Sequence, residues 1–107
     1  MIARVVTALT PLLWLAAGLA AEPRSDERAG EALVQKHCAA CHAITRSDQS
    51  KHPSAPAFRE VLKRYPASVL TEALAEGLST GHPDMPEFTF GPRDTGAIVR
   101  YLESISR

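Results

Sequence analysis

The two cysteines of this chain lie three positions apart, and a histidine follows directly: the segment reads Cys38, Ala39, Ala40, Cys41, His42. Residues three apart on a helical turn point to the same side. Both thiols can therefore reach the two vinyl groups on one edge of a porphyrin and form thioethers, while the imidazole of His42 can bind the iron. A C-x-x-C-H pattern is typical of c-type haem attachment, and we predict that these residues form such a site.

Three other kinds of site also use a pair of nearby cysteines. A thioredoxin-like redox pair lies near a βαβ pattern, whereas this sequence predicts no strands. A structural disulfide forms in oxidising compartments, but it gives His42 no role. A zinc site usually needs four ligands, and the remaining histidines do not match a zinc spacing: His37, His52 and His82. The sequence therefore favours haem attachment.

The first 21 residues have the pattern of an export signal. Arg4 gives a positive start, and a largely apolar run continues to Ala21, as in a signal peptide removed by a signal peptidase. We predict cleavage after Ala20 or Ala21, which leaves residues 22–107 as one periplasmic domain. The alternative is a retained membrane anchor facing the periplasm, although Pro11 interrupts the run and its length is at the lower limit for a bilayer span.

Charge and size restrict the classes of partner. Twelve Lys and Arg residues balance twelve Asp and Glu residues, for a formal net charge of +0 at pH 7. This composition lacks the clustered basic patch of a nucleic-acid-binding domain, so we expect no nucleic-acid partner, and no membrane contact once the signal is removed.

A domain this small is marginal on its apolar residues alone, and a covalently held haem would supply much of its core.

The first predicted helix leads into the cysteine pair. Ser25 or Asp26 is expected to cap it, and apolar or small residues recur at spacings of three and four as far as Cys41. This face comprises Gly30, Leu33, Val34, His37, Cys38 and Cys41. The attachment cysteines are thus expected on one continuous helix.

Periodicity and turn residues predict three further helices and an all-α fold class. These helices are expected at residues 58–65, at residues 66–76 with Gly77 as the stop, and from Pro92 onward. The last helix has four residues at the i, i+3, i+4, i+7 spacing of a buried face: Ile98, Tyr101, Leu102 and Ile105. Pro-, Gly- and polar-rich stretches are predicted loops, at residues 43–56 and 78–90.

A haem iron bound by one histidine has a second axial position on its opposite face. His37 lies beside Cys38, and His52 follows the attachment motif in the next loop. Chain position therefore places both histidines on the wrong side of the haem. His82 and Met85 remain, in the loop before the last helix.

Met85 is the better of these two candidates. A thioether is a soft ligand that suits haem iron, and His/Met ligation raises the potential of an electron-transferring haem. Pro83 and Pro86 would keep the loop stiff around it. The alternative is that Met85 only fills a gap in the core. We expect His82 to lie at the surface or near a haem propionate instead of binding the iron.

Four short segments, taken in order, resemble those of class I cytochromes c: residues 38–42, 55–58, 85–88 and 98–102. The chain is similar to a small bacterial periplasmic monohaem member over almost all of residues 22–107. The resemblance implies a small cytochrome c fold, in which N- and C-terminal helices cross and short helices and loops wrap around one haem c, attached through Cys38 and Cys41. His42 and Met85 would be the axial ligands.

The resemblance also implies a function and further structural roles. The chain would be a monomeric one-electron carrier between redox proteins, and not an enzyme. Gly30 and Val34 match positions where the first helix crosses the last, against Ile98 and Tyr101. Pro56 matches the proline whose carbonyl accepts a hydrogen bond from the axial histidine, and two aromatic rings would pack near the haem: Phe58 and Phe88.

Two points stay open at the level of sequence. No tryptophan follows the signal segment to contact a haem propionate, and four residues could replace it: Arg59, Lys63, Arg64 and Tyr65. A labile bond to Met85 would instead fit a haem-based ligand sensor or a peroxidatic haem protein. The chain could also be the cytochrome subunit of a dehydrogenase, with unchanged haem chemistry.

Overall fold

The computed structural model describes residues 23–78 and 82–107, and the regular elements in these ranges are all α-helices. They are α1 (Pro23–His37), α2 (Phe58–Arg64), α3 (Ala67–Glu76) and α4 (Pro92–Ile105). The predicted all-α class is confirmed, and the arrangement is consistent with a small cytochrome c fold. The predicted signal peptide, residues 1–21, lies outside the described residues. Within them, no helix is both long and apolar enough to cross a membrane.

The first helix differs from its prediction at both ends. It begins at Pro23, before the expected caps at Ser25 and Asp26, because proline is well tolerated in a first turn, where its missing N–H has no partner in the helix. It ends at His37, so the prediction of a continuous helix through Cys41 is wrong.

Turns replace the helix from Cys38 onward. The backbone N–H of Ala39 donates to the carbonyl of Val34 at 3.1 Å, a five-residue separation typical of a helix C-terminus. The N–H of His42 then donates to the carbonyl of Cys38 at 2.9 Å. Both cysteines therefore still lie in one tight turn, but the turn follows the helix instead of continuing it.

The other three helices lie close to their predicted positions. Gly77 adopts φ 117° and ends α3, a backbone conformation that favours glycine. Pro92 lies in the first turn of α4, where its fixed φ suits a helix start. Pro66 is the N-cap of α3, so this helix begins at Ala67, one residue later than predicted.

Helix α4 is the centre of the core. Helix α1 packs across it most extensively, and α2 and α3 also contact it. At the crossing, a β-carbon on Gly30 would lie 2.9 Å from Cβ of Tyr101, and Val34 and Ile98 are buried in the same apolar cluster. All four α4 residues predicted from periodicity are buried: Ile98, Tyr101, Leu102 and Ile105.

Candidate functional site

The turn that contains both cysteines, residues 38–42, is called the cysteine turn below. A cavity of about 710 Å³ opens between this turn, α2, α3, α4 and the loop before α4. Its volume is in the range of sites that hold cofactors. The four residues singled out from the sequence, Cys38, Cys41, His42 and Met85, all line it. Apolar side chains from three helices form much of its wall: Val61, Leu70, Leu74, Ile98 and Leu102.

The two cysteines are free, partly buried thiols. Burial raises the pKa of Cys38 to about 11, so this thiol is neutral at physiological pH. In the described ranges, no three His, Cys, Asp or Glu side chains converge as a metal site would require.

The ring of His42 is oriented by a backbone carbonyl. Its Nδ1 lies 2.7 Å from the carbonyl oxygen of Pro56, and because a carbonyl only accepts, Nδ1 must carry the proton. Nε2 then keeps its lone pair, the state that binds a metal, and the hydrogen bond fixes the orientation of the ring. The ring of Phe58 packs against it, with centroids 4.6 Å apart. The contact with Pro56 that the resemblance implied is present, and the histidine fits a haem iron.

Two hydrogen bonds hold the loop after His42 in place, one between backbone groups and one to a side chain. The N–H of Phe58 donates to the carbonyl of Ala43 at 2.9 Å, which closes the loop at the start of α2. The N–H of Ala43 donates to the hydroxyl oxygen of Ser50 at 2.9 Å. The position of the His42 ring is therefore fixed by the fold of residues 43–58.

Met85 ends a tight turn. Its backbone N–H donates to the carbonyl of His82 at 3.2 Å, which closes a four-residue β-turn with Pro83 in the second position, where proline is favoured. Pro86 follows and restricts the backbone on the other side. The expected stiffness of this loop thus has a structural basis in the turn and in two fixed φ angles.

The two histidines that chain position placed on the wrong side of the haem, His37 and His52, also line the cavity. His52 reaches the loop of Met85: its Nε2 lies 3.1 Å from Oδ2 of Asp84, and its ring centroid lies 5.4 Å from that of His82. Its Nδ1 accepts the backbone N–H of Ser54 at 3.0 Å. Both ring nitrogens of His52 therefore already have partners within the protein.

His37 packs against aromatic residues that follow Met85. Its ring meets those of Phe88 and Phe90 edge-on, with centroids 5.6 and 5.5 Å apart, and the two phenylalanines stack on each other. Helix α1 thereby contacts the segment that leads into α4. Phe88 and Phe58, which are expected to pack near the haem, both line the cavity.

The four candidates for a propionate contact differ in position. Tyr65 lines the cavity and is half exposed, whereas Arg59, Lys63 and Arg64 are absent from its wall. Arg59 instead donates to the carbonyl of Asp48 at 2.7 Å, and Lys63 pairs with the neighbouring Glu60. Of these four residues, Tyr65 is the one that lines the cavity.

The chain is similar to known proteins over most of its length. Over residues 25–102 the chain matches the family model described as cytochrome c oxidase, cbb3-type, subunit III. A cytochrome c-552 from Bradyrhizobium diazoefficiens is 31% identical over 81 residues, which cover 76% of this chain and 76% of that protein. No solved structure matches the chain.

Proposed function

The chain belongs to the class I c-type cytochromes, and from this premise we propose that it is a periplasmic one-electron carrier with His42 and Met85 as axial haem ligands. Membership of the family implies covalently bound haem c and haem-based electron transfer. When bound, the haem supplies an iron that exchanges one electron between its ferrous and ferric states. The protein's part is to hold that iron and control its surroundings.

Each proposed ligand has a separate structural support. Cys38 and Cys41 lie in one turn at the cavity wall and would form the two thioethers. The hydrogen bond of His42 Nδ1 to Pro56 leaves Nε2 for the iron. This hydrogen bond, in a cavity that Met85 also lines, is the observation that carries the proposal.

The stiffness of the Met85 loop favours a carrier over a sensor or a peroxidatic protein. A sensor must vacate an iron position easily, whereas electron transfer is fastest when the ligands do not move. The turn closed by the Met85 N–H and the flanking prolines oppose such movement. Membership of the family is likewise compatible with the cytochrome subunit of a larger enzyme, in which the haem chemistry would be the same.

We propose export by the N-terminal segment and weak encounters with redox proteins as donor and acceptor. Transient electron-transfer encounters use small interfaces, below about 1,200 Å². Tyr65 and Val69 are the exposed large apolar side chains among the described residues, and both line the cavity. A redox partner would reach a bound haem most directly at the surface around Tyr65 and Val69.

Mass spectrometry and carbon monoxide binding, applied to protein exported together with haem-maturation machinery, test the proposal. The wild type should carry one covalent haem and bind no carbon monoxide in the ferrous state without denaturant. Met85→Ala should keep the haem, bind carbon monoxide and have a lower reduction potential, and His82→Ala should resemble the wild type. Carbon monoxide binding by the wild type would favour a sensor or peroxidatic protein. If His82→Ala, and not Met85→Ala, binds carbon monoxide and has a lower reduction potential, the ligand assignment is wrong.

A further inference from the structure

A side-chain hydrogen bond joins the loop after the attachment motif (residues 38–42) to Asp84, the residue that precedes Met85. Nε2 of His52 lies 3.1 Å from Oδ2 of Asp84. At its other end, His52 is fixed to the attachment motif, because its backbone N–H donates to the carbonyl of Cys41 at 3.1 Å. A path of hydrogen bonds and covalent bonds therefore runs from Cys41 through His52 and Asp84 to Met85 without passing through a haem.

The geometry fixes which nitrogen of His52 carries the proton. The backbone N–H of Ser54 donates to Nδ1 at 3.0 Å, so Nδ1 must present a lone pair. In the neutral ring the proton is then on Nε2, which donates to the carboxylate of Asp84. Hydrogen bonds that involve a charged partner are stronger than those between neutral groups. The imidazole thus makes one hydrogen bond through each ring nitrogen, to Ser54 and to Asp84, and these two bonds fix its orientation.

The position of Asp84 restricts that of Met85. The two residues are adjacent, and both belong to the turn that the Met85 N–H closes on His82. A second hydrogen bond in this turn runs from the N–H of Asp84 to Nδ1 of His82 at 3.3 Å. With Pro83 on one side and Pro86 on the other, the short segment has few soft torsions, so holding Asp84 also holds the backbone of Met85.

We propose that His52 is a positioning residue for the sixth iron ligand, and that it holds Asp84 so that Met85 stays at the haem cavity. This inference rests on the proposed function, because it takes Met85 as the ligand. His52 does not touch the iron in this role. Its effect is to disfavour the state in which the loop swings away and another ligand can bind.

Binding of exogenous imidazole to the ferric holoprotein measures how often Met85 leaves the iron. The test compares His52→Ala and Asp84→Ala with the wild type, and their matched controls are Lys51→Ala, next to His52, and Glu87→Ala, a carboxylate beyond Met85. A single hydrogen bond corresponds to a factor of about two to ten in such an equilibrium. Imidazole should therefore bind about two- to tenfold more tightly to both test variants, and with unchanged affinity to both controls.

Two further variants separate positioning from general destabilisation. His52→Gln retains a side-chain N–H donor and an oxygen acceptor, so it should return the imidazole affinity toward that of the wild type. The double variant His52→Ala/Asp84→Ala should bind imidazole no more tightly than the stronger-binding single variant, because both changes remove the same contact. Asp84 is largely exposed, so Asp84→Ala tests the pair even if His52→Ala does not fold.

Failure of this inference can be told apart from failure of the proposed function. If the wild-type ferric protein lacks the weak far-red methionine–iron band, Met85 is not the ligand and the proposed function fails. If the band is present but imidazole binds His52→Ala and Lys51→Ala equally, Met85 is the ligand and His52 does not position it. Loss of the band at a lower temperature in His52→Ala and Asp84→Ala than in their controls would support the inference.

Discussion

A β-carbon on Gly30 would lie 2.6 Å from the carbonyl carbon of Ala97 and would overlap its oxygen. The backbones of α1 and α4 are thus in direct contact, with no space for even one methyl group. Because the two nearest atoms belong to the backbone of Ala97, they cannot turn aside as a flexible side chain could. This crossing holds the cysteine turn, which follows α1, against the helix at the centre of the core.

Gly30→Ala should lower the free energy of unfolding of the holoprotein by about 2–3 kcal/mol, as overpacking of a dense core does. The loss should occur although alanine is the better helix former by about 1 kcal/mol. Gly96→Ala is the matched control, because it lies in α4 and an added β-carbon would meet no atom within 4 Å apart from its chain neighbours and the backbone of its own helix. It should be neutral or slightly stabilising. Equal urea midpoints for the two variants would contradict the close crossing.

Tyr101 should confer a loss of stability at alkaline pH. Its hydroxyl donates to the carbonyl of Ile44 at 2.6 Å, and burial, followed by the charges of Glu31 and Asp48, raises its pKa above 10.0. The folded state therefore keeps the proton more tightly than the unfolded state. The stabilisation is complete below about pH 10 and is lost as the pH rises from the unfolded pKa toward the folded one.

Tyr101→Phe should cost about 1–2 kcal/mol at neutral pH, because the carbonyl of Ile44 loses its donor. It should also remove the part of the stability loss at alkaline pH that comes from ionisation of Tyr101. Urea unfolding of both proteins at neutral pH and above pH 10 measures both effects. A difference between wild type and variant that stays constant with pH would contradict the role of the Tyr101 proton.

Asp48 should confer stability that is lost in acid. The hydroxyl of Thr45 donates to its carboxylate at 2.7 Å, and the backbone N–H groups of Thr45 and Ile44 donate at 2.9 and 3.1 Å. These bonds lower the pKa of Asp48, the Thr45 hydroxyl most of all, against a smaller opposing effect of burial. The stabilisation is present above the unfolded pKa of 3.8 and disappears as the pH falls through the folded value.

Asp48→Asn should therefore unfold at lower urea concentration than the wild type at pH 7, and the two midpoints should converge as the pH falls below about 4. Glu72→Gln, an exposed carboxylate in α3, serves as the control and should follow the wild type. Parallel pH profiles for wild type and Asp48→Asn would show that this carboxylate has no such role.

Docking to redox partners should depend weakly on salt. The formal net charge is +0, and long-range steering of a partner grows with net charge and weakens with ionic strength. The second-order rate of reduction by a purified partner protein should thus change little between low and physiological ionic strength. A steep decrease would point to a strongly charged docking surface.

Local signals explain why most helices could be predicted. Gly77 and Pro92 mark helix boundaries by backbone chemistry alone, and the spacing of Ile98, Tyr101 and Leu102 identifies the buried face of α4 without knowledge of its partners. The end of α1 escapes prediction because Cys38 and Cys41 continue the helical spacing although the hydrogen bonds have already changed to turns.

Contacts between distant segments leave no such signal. His52 and Asp84 are 32 positions apart, and nothing in their spacing indicates that they meet. The same holds for the contact of Tyr101 with Ile44 and for Arg46, whose guanidinium donates to carbonyls at the end of the chain, those of Ser104 and Arg107. These contacts arise because the chain closes around a cavity, which periodicity does not describe.

The far-red absorption of the ferric holoprotein, recorded for the wild type and for Met85→Ala, tests the central claim most directly. A weak methionine–iron band should be present in the wild type and absent from Met85→Ala, with one covalent haem in both. A wild type without the band, or a Met85→Ala variant that retains it, would contradict His42/Met85 ligation.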